Sequence, residues 1–175
     1  MKGTDRVDAI DASTPRMVDN MPGVPVDIIA LMRLMRAANQ GLSNFLEPVM
    51  RPFGFTESSF HTLMLIFSSE QGTATPSQLC ELVGQTRANM THILAGLVSQ
   101  SYVSRSTDGD DGRRRIIRIT AEGRRLVRAT LPTLAAPLSL ALEGLKPADI
   151  TQLDKLLRRF VASLANGERR MRASI

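Results

Sequence analysis

Thiols and imidazoles are scarce in this chain of 175 residues, which has one cysteine, Cys80, and two histidines, His61 and His92. A single thiol excludes an intramolecular disulfide and any multi-thiolate metal site, and two isolated histidines provide no metal-ligand spacing. The same shortage speaks against an enzyme. Nucleophilic or acid–base catalysis needs a nucleophile, a base and an orienting group within reach of one another, and no such set is present. Long hydrophobic runs are missing too. No apolar stretch approaches the roughly 20 residues that cross a bilayer, and the N-terminus lacks a basic start followed by an apolar run and a small-residue cleavage site. Neither an internal repeat nor a low-complexity tract occurs. Together these absences lead us to expect a soluble cytoplasmic protein in reducing surroundings, without metal or cofactor.

What is present suits a folded protein. The length fits one domain of ordinary size, and 43% of the residues are hydrophobic. The net charge of +5 and pI near 10.3 are compatible with nucleic acid, an acidic membrane or an acidic protein surface, and charge alone does not choose among them.

Residues 1–24 carry Asp5, Asp8, Asp11 and Asp19 and several prolines without a sustained apolar period, and are expected to be a mobile arm. From Val26 the spacing of Ile28, Ile29, Leu31, Met32, Met35, Leu42, Phe45 and Leu46 predicts a helix, disturbed at Pro48 and finished by Pro52 and Gly54. A second helix follows an N-cap at Thr56 and presents Phe60, Leu63, Met64 and Phe67. Thr75-Pro76 opens a short third helix that Gly84 ends, and Thr86 caps a fourth. In the fourth, Met90, Ile93, Leu94 and Leu97 face inward while Arg87, Asn89, Thr91 and His92 lie on or near the other side. Thr120 starts a fifth helix, with Pro132 and Pro137 expected to bend it, and Pro147 opens a sixth with a wide stripe that includes Leu153, Leu156, Leu157, Phe160 and Leu164.

Between the fourth and fifth helices stands DGDDGRRRIIRIT, Asp108 to Thr120. Two Asp-Gly pairs are strong hairpin signals and the β-branched Ile116, Ile117 and Ile119 continue as a strand, so the arginines are held out on a rigid β-arm. Short helix, tight turn, capped helix with polar first turns, then a basic hairpin is the order of a winged helix-turn-helix. A recognition helix enters the major groove N-terminus first, which makes Gln85, Thr86, Arg87, Asn89, Thr91 and His92 the candidates for base edges and phosphates. Asp111, Arg113, Arg114 and Arg115 are the candidates on the wing, with Asp111 aiming Arg113 into a minor groove.

The stretch TPSQLCELVGQTRANMTHILAGLVSQSYVSRSTDGDDGRRRIIRITAEGRRL resembles the DNA-binding region of the multiple-antibiotic-resistance regulator (MarR) family of bacterial transcription factors. Thr86-Arg87 with Met90-Thr91, the wing pattern Asp111-x-Arg113 leading to Ile119-Thr120, and Ala121-Glu122-Gly123 carry the match. The resemblance spans Val26 to about Asn166. It implies a mainly α fold with a small β-wing: a winged helix-turn-helix over 56–120, a first dimerisation helix over 25–55, C-terminal dimerisation helices over 121–166 and a flexible tail over 167–175. It further implies a homodimer gripping double-stranded DNA at a pseudo-palindromic operator, and repression relieved by a small aromatic or phenolic anion. Three positions depart from the family pattern. Ser101 stands where glycine is usual, Gly96 lies inside a helix at about 1 kcal/mol of lost propensity, and Lys146 replaces a hydroxyl cap.

An effector of that kind would meet Arg36, Phe60, His61 and Met64. His61 has a second reading as a partly buried histidine satisfied by backbone. Cys80 has two as well, a redox sensor or a small core residue, and its neighbours Leu79 and Glu81 disfavour a thiolate. A helical protein-interaction module would account for the amphipathic helices but not for the wing, and salt-sensitive binding to duplex DNA separates the two.

Overall fold

The computed structural model describes residues 3–20, 23, 25–107 and 115–174, and contains seven α-helices and three strands within them. The chain divides into two compact units, residues 1–134 and 135–175, where a single domain was expected.

The N-terminal segment, expected as a mobile arm, is helical. Helix α1 runs Gly3–Asn20, buries Ile10, and packs along helix α2, Val26–Met50, where Arg33 Nη1 donates to Ser13 Oγ at 2.7 Å. A segment with too little apolar surface to fold alone still becomes helical when a neighbouring helix supplies the surface, because tertiary packing carries most helical stability. Helix α2 also runs unbroken through Pro48 to Met50. One proline removes a single intrahelical donor, and the break comes two residues later, in a 3-10 turn over Arg51–Phe53 closed by Gly54 at φ 76°.

Three capped helices then build the core. Helix α3, Glu57–Ser68, starts at a reciprocal capping box in which Thr56 and Ser59 exchange side-chain to backbone hydrogen bonds. Helix α4, Pro76–Val83, repeats the device with Thr75 and Gln78 and ends at Gly84, φ 69°. Helix α5 follows over Arg87–Ser99. Leu63, Ile66, Leu79, Met90, Leu94 and Leu97 meet at their centre with almost no exposure.

A three-stranded antiparallel sheet closes this core. Strand β1 is Thr73–Ala74, which was not foreseen, β2 is Val103–Thr107 and β3 is Arg115–Ile119, in the order β1-β3-β2. The register pairs Val103 with Ile119 and Arg105 with Ile117, so Ile117 and Ile119 point into the core while Arg115 and Arg118 stay exposed. Helix α6, Ala121–Ala141, begins against this sheet: Thr120 Oγ1 accepts from Gly123 N at 3.0 Å, and Val127, Thr130 and Leu134 are buried. It continues through Pro132 and Pro137 as one helix.

The second unit holds the end of α6 and helix α7, Pro147–Ala173. The Asp149 carboxylate accepts from Lys146 N at 2.9 Å, which replaces the missing hydroxyl cap from the other side of the box. The segment expected as a flexible tail is helical to Ala173, where Arg170 and Arg172 in the last turn oppose the negative end of the helix dipole. Asp154 and Arg158 form an i,i+4 ion pair at 2.9 Å whose hydrogen bond holds the Asp154 carboxyl below its ordinary range. Leu153, Leu156, Leu157, Val161 and Leu164 are all exposed within the single chain.

Candidate nucleic-acid interface

The turn before α5 sets the interface. Gly84 takes the left-handed conformation that a Cβ would resist, Gln85 N donates to the Cys80 carbonyl at 3.0 Å, and Thr86 Oγ1 accepts from Asn89 N at 3.2 Å. These bonds present the N-terminal turns of α5 outward while Met90, Ile93, Leu94 and Leu97 anchor its other face. Thr86, Arg87, Asn89, Thr91 and His92 are exposed together there, and Gln85 is half-buried beside them.

Their side chains are not equally free. Asn89 Nδ2 donates to Gln85 Oε1 at 2.5 Å, and Gln85 Nε2 in turn donates to Ser58 Oγ on α3 at 3.3 Å. This bond uses one N–H of the Asn89 amide and leaves its oxygen and second N–H, the pair that adenine requires. Thr91 Oγ1 donates to the Arg87 carbonyl at 2.8 Å and keeps its lone pairs. No hydrogen bond or ion pair engages the Arg87 or His92 side chains among the described residues. Ser58 had no signal as a functional residue in the sequence, since it sits 27 positions before Gln85 and meets it only through the fold.

On the wing, Arg115 is exposed on β3, whereas Asp111, Arg113 and Arg114 lie outside the described residues. Arg105 on β2 and Arg118 on β3 are further exposed cations. They had not been singled out, because neither falls in the arginine run.

The four residues expected at an effector have different surroundings. Phe60 is a core residue, its ring edge-on to Phe55 with centroids 5.6 Å apart, and Met64 packs half-buried against the same core. Arg36 and His61 are exposed on α2 and α3, so His61 is not the partly buried, backbone-satisfied histidine of the second reading. A cavity of about 800 Å³ lies elsewhere, lined by residues of α3, β1, α4 and β3 and by none of these four. Cys80 is half-buried at the edge of the core. The described residues hold no cluster of three or more metal-ligating side chains, and no described helix is long and apolar enough to cross a membrane.

A family model described as MarR family matches residues 53–114, the span from the end of α2 through the recognition helix into the wing. Over this span the chain resembles the MarR family. Among its MarR-type relatives, the transcriptional repressor YetL of Bacillus subtilis is 27% identical over 116 residues, 66% of this chain and 70% of YetL. Across the curated regulators it matches, the chain spans between 61% and 80% of their lengths. The crystal structure of AbsC, a MarR family regulator from Streptomyces coelicolor, is 25% identical with a TM-score of 0.70, covering 78% of this chain and 93% of AbsC. A MarR variant from Escherichia coli, solved in complex with operator DNA, shares the fold at 23% identity and a TM-score of 0.69, covering 77% and 95%. These matches are to regulators rather than enzymes. The chain is accordingly similar to DNA-binding transcriptional regulators of MarR type, and the element it shares with them is a winged helix-turn-helix.

Proposed function

We propose that this chain is a MarR-type regulator that acts as a homodimer on a pseudo-palindromic operator and represses transcription until a small aromatic anion releases it. The observation that carries the DNA contacts is the pairing of two features on one surface. The first turns of α5 are aimed outward by the Gly84 turn and the Thr86 cap, and the Arg87 and His92 side chains on them have no protein partner among the described residues. Arg87 suits bidentate contact with guanine, Asn89 with adenine, and Thr86, Thr91 and Gln85 suit phosphates or neighbouring base edges. The wing arginines Arg113, Arg114 and Arg115 then lie over the minor groove, with Asp111 orienting Arg113.

Dimerisation is supported by the second unit. Leu153, Leu156, Leu157, Val161 and Leu164, 42–63% exposed along one helix, form an apolar stripe of the kind that marks an interaction surface. Two copies would present half-sites about one helical turn apart. Repression is the named activity of YetL and enters this proposal from that likeness. For the effector, Arg36 supplies an exposed guanidinium and His61 an exposed imidazole, with Phe60 and Met64 as the apolar residues of the proposed site.

The test is a salt titration of binding to a selected operator. Wild-type affinity should fall steeply with salt, and Arg87→Ala should cost about 1–3 kcal/mol and relax preference at particular base pairs. Arg113→Ala should weaken binding to all sequences. Asp111→Ala should weaken it too, although it removes a negative charge near DNA. Unchanged affinity and base preference in Arg87→Ala would remove α5 from the groove. Tighter binding by Asp111→Ala would reduce the wing to a charged brush.

A further inference from the structure

We propose that the cavity at the root of the wing is a binding site for a small organic cation with an apolar body. The cavity, about 800 Å³, opens where the C-terminal end of α3, the 3-10 turn Glu70–Gly72, β1, α4 and β3 meet. That volume lies within the ordinary span of small-molecule sites, about 300–1,000 Å³.

Its shape follows from an interrupted sheet edge. Strand β1 pairs with β3 only at Thr73–Arg118 and Ala74–Ile117, because Thr75 leaves the sheet to cap α4. Ile116 therefore has no partner on the β1 side and borders the opening half-buried. Leu79, fully buried, forms an apolar floor together with Leu65. Leu82, also on the lining, is a large apolar side chain with 63% of its surface exposed among the described residues. Gln71, also on the lining, is held at φ 57°, a left-handed conformation that non-glycine residues adopt at a cost and that recurs at ligand clamps.

Charge selects the occupant. Glu70 and Glu81 are both exposed on the lining, and neither carboxylate has a hydrogen-bond or ion-pair partner among the described residues. Among the described residues the lining includes no lysine, arginine or histidine, in a chain whose net charge is +5. Two unneutralised carboxylates over an apolar floor favour an ammonium or similar cation carried on a hydrophobic body, and repel an aromatic acid of the same size. None of Arg87, Asn89, Thr91 and His92 lines the cavity, so occupancy is readable without DNA.

The test titrates the full chain with benzyltrimethylammonium and, separately, with benzoate at matched ionic strength, following methyl resonances of Leu82 and Ile116. The cation should shift both methyl groups saturably and benzoate should leave them unmoved. The double variant Glu70→Gln/Glu81→Gln should bind the cation about tenfold more weakly, with circular dichroism unchanged because both positions are exposed. Glu70→Asp/Glu81→Asp should retain most of the affinity. The proposal is overturned by equal shifts with benzoate, by undiminished binding in the double Gln variant, by shifts confined to another surface, or by no shift at millimolar cation.

Discussion

Replacing Gly123 by alanine should destabilise the first unit, whereas the same replacement at Gly96 should stabilise it. In a helix, alanine is favoured over glycine by about 1 kcal/mol, and both positions are helical, in α6 and α5. At Gly96 a Cβ meets no atom within 4 Å, so the full gain is expected. At Gly123 the Cβ would collide with the Tyr102 carbonyl oxygen and sit 3.0 Å from Ile119 Cγ1. That carbonyl is tied down: Thr120 N donates to it at 3.0 Å, and the Thr120 hydroxyl, 3.1 Å away, also reaches the Ser101 carbonyl at 2.7 Å. Relief must come from moving the start of α6 off the sheet, which also strains the Thr120 cap on Gly123 N. Overpacking costs about 1–3 kcal/mol and a lost cap about 1 kcal/mol, so Gly123→Ala should be about 1–3 kcal/mol less stable after the propensity gain. Urea unfolding followed by circular dichroism at fixed protein concentration measures both variants. With a slope of about 1–3 kcal/mol per molar urea, the Gly123→Ala midpoint should fall by about 1 M and the Gly96→Ala midpoint should rise. A Gly123→Ala midpoint at or above that of the unmodified chain would refute the close approach of α6 to Tyr102.

Ser101 keeps the left-handed turn that glycine would occupy, at φ 59°, so Ser101→Gly should raise stability by up to about 1 kcal/mol, and an unchanged or lower melting temperature would show that the turn is not strained. Thr130 is fully buried with no hydrogen-bond partner for its hydroxyl among the described residues, so Thr130→Val should stabilise by about 1 kcal/mol in urea unfolding; a loss would mean that the hydroxyl is satisfied in the assembled protein. Ser58→Ala removes the far end of the Ser58–Gln85–Asn89 chain and should lower the ratio of specific to non-specific DNA affinity with non-specific binding intact. An unchanged ratio would show that Asn89 does not depend on it.

Much of the recognition surface was legible because its determinants are local. The caps at Thr56, Thr75 and Thr86, the stop at Gly84 and the inward spacing of Met90, Ile93, Leu94 and Leu97 each depend on residues within one or two helical turns. A capped helix after a left-handed turn exposes its first-turn side chains whatever it packs against, so the exposure of Arg87, Asn89, Thr91 and His92 followed. Helix α1 and strand β1 were not legible. Each depends on surface supplied by another segment: α2 for Ile10, and β3 for Thr73 and Ala74. Residue types and periodicity determined where this chain turns and which helix faces are apolar, since backbone sterics and hydrogen bonding act over a few residues. The Ser58–Gln85–Asn89 tether and the acidic cavity between Glu70 and Glu81 were decided only in three dimensions, where packing brings together side chains that no local rule relates.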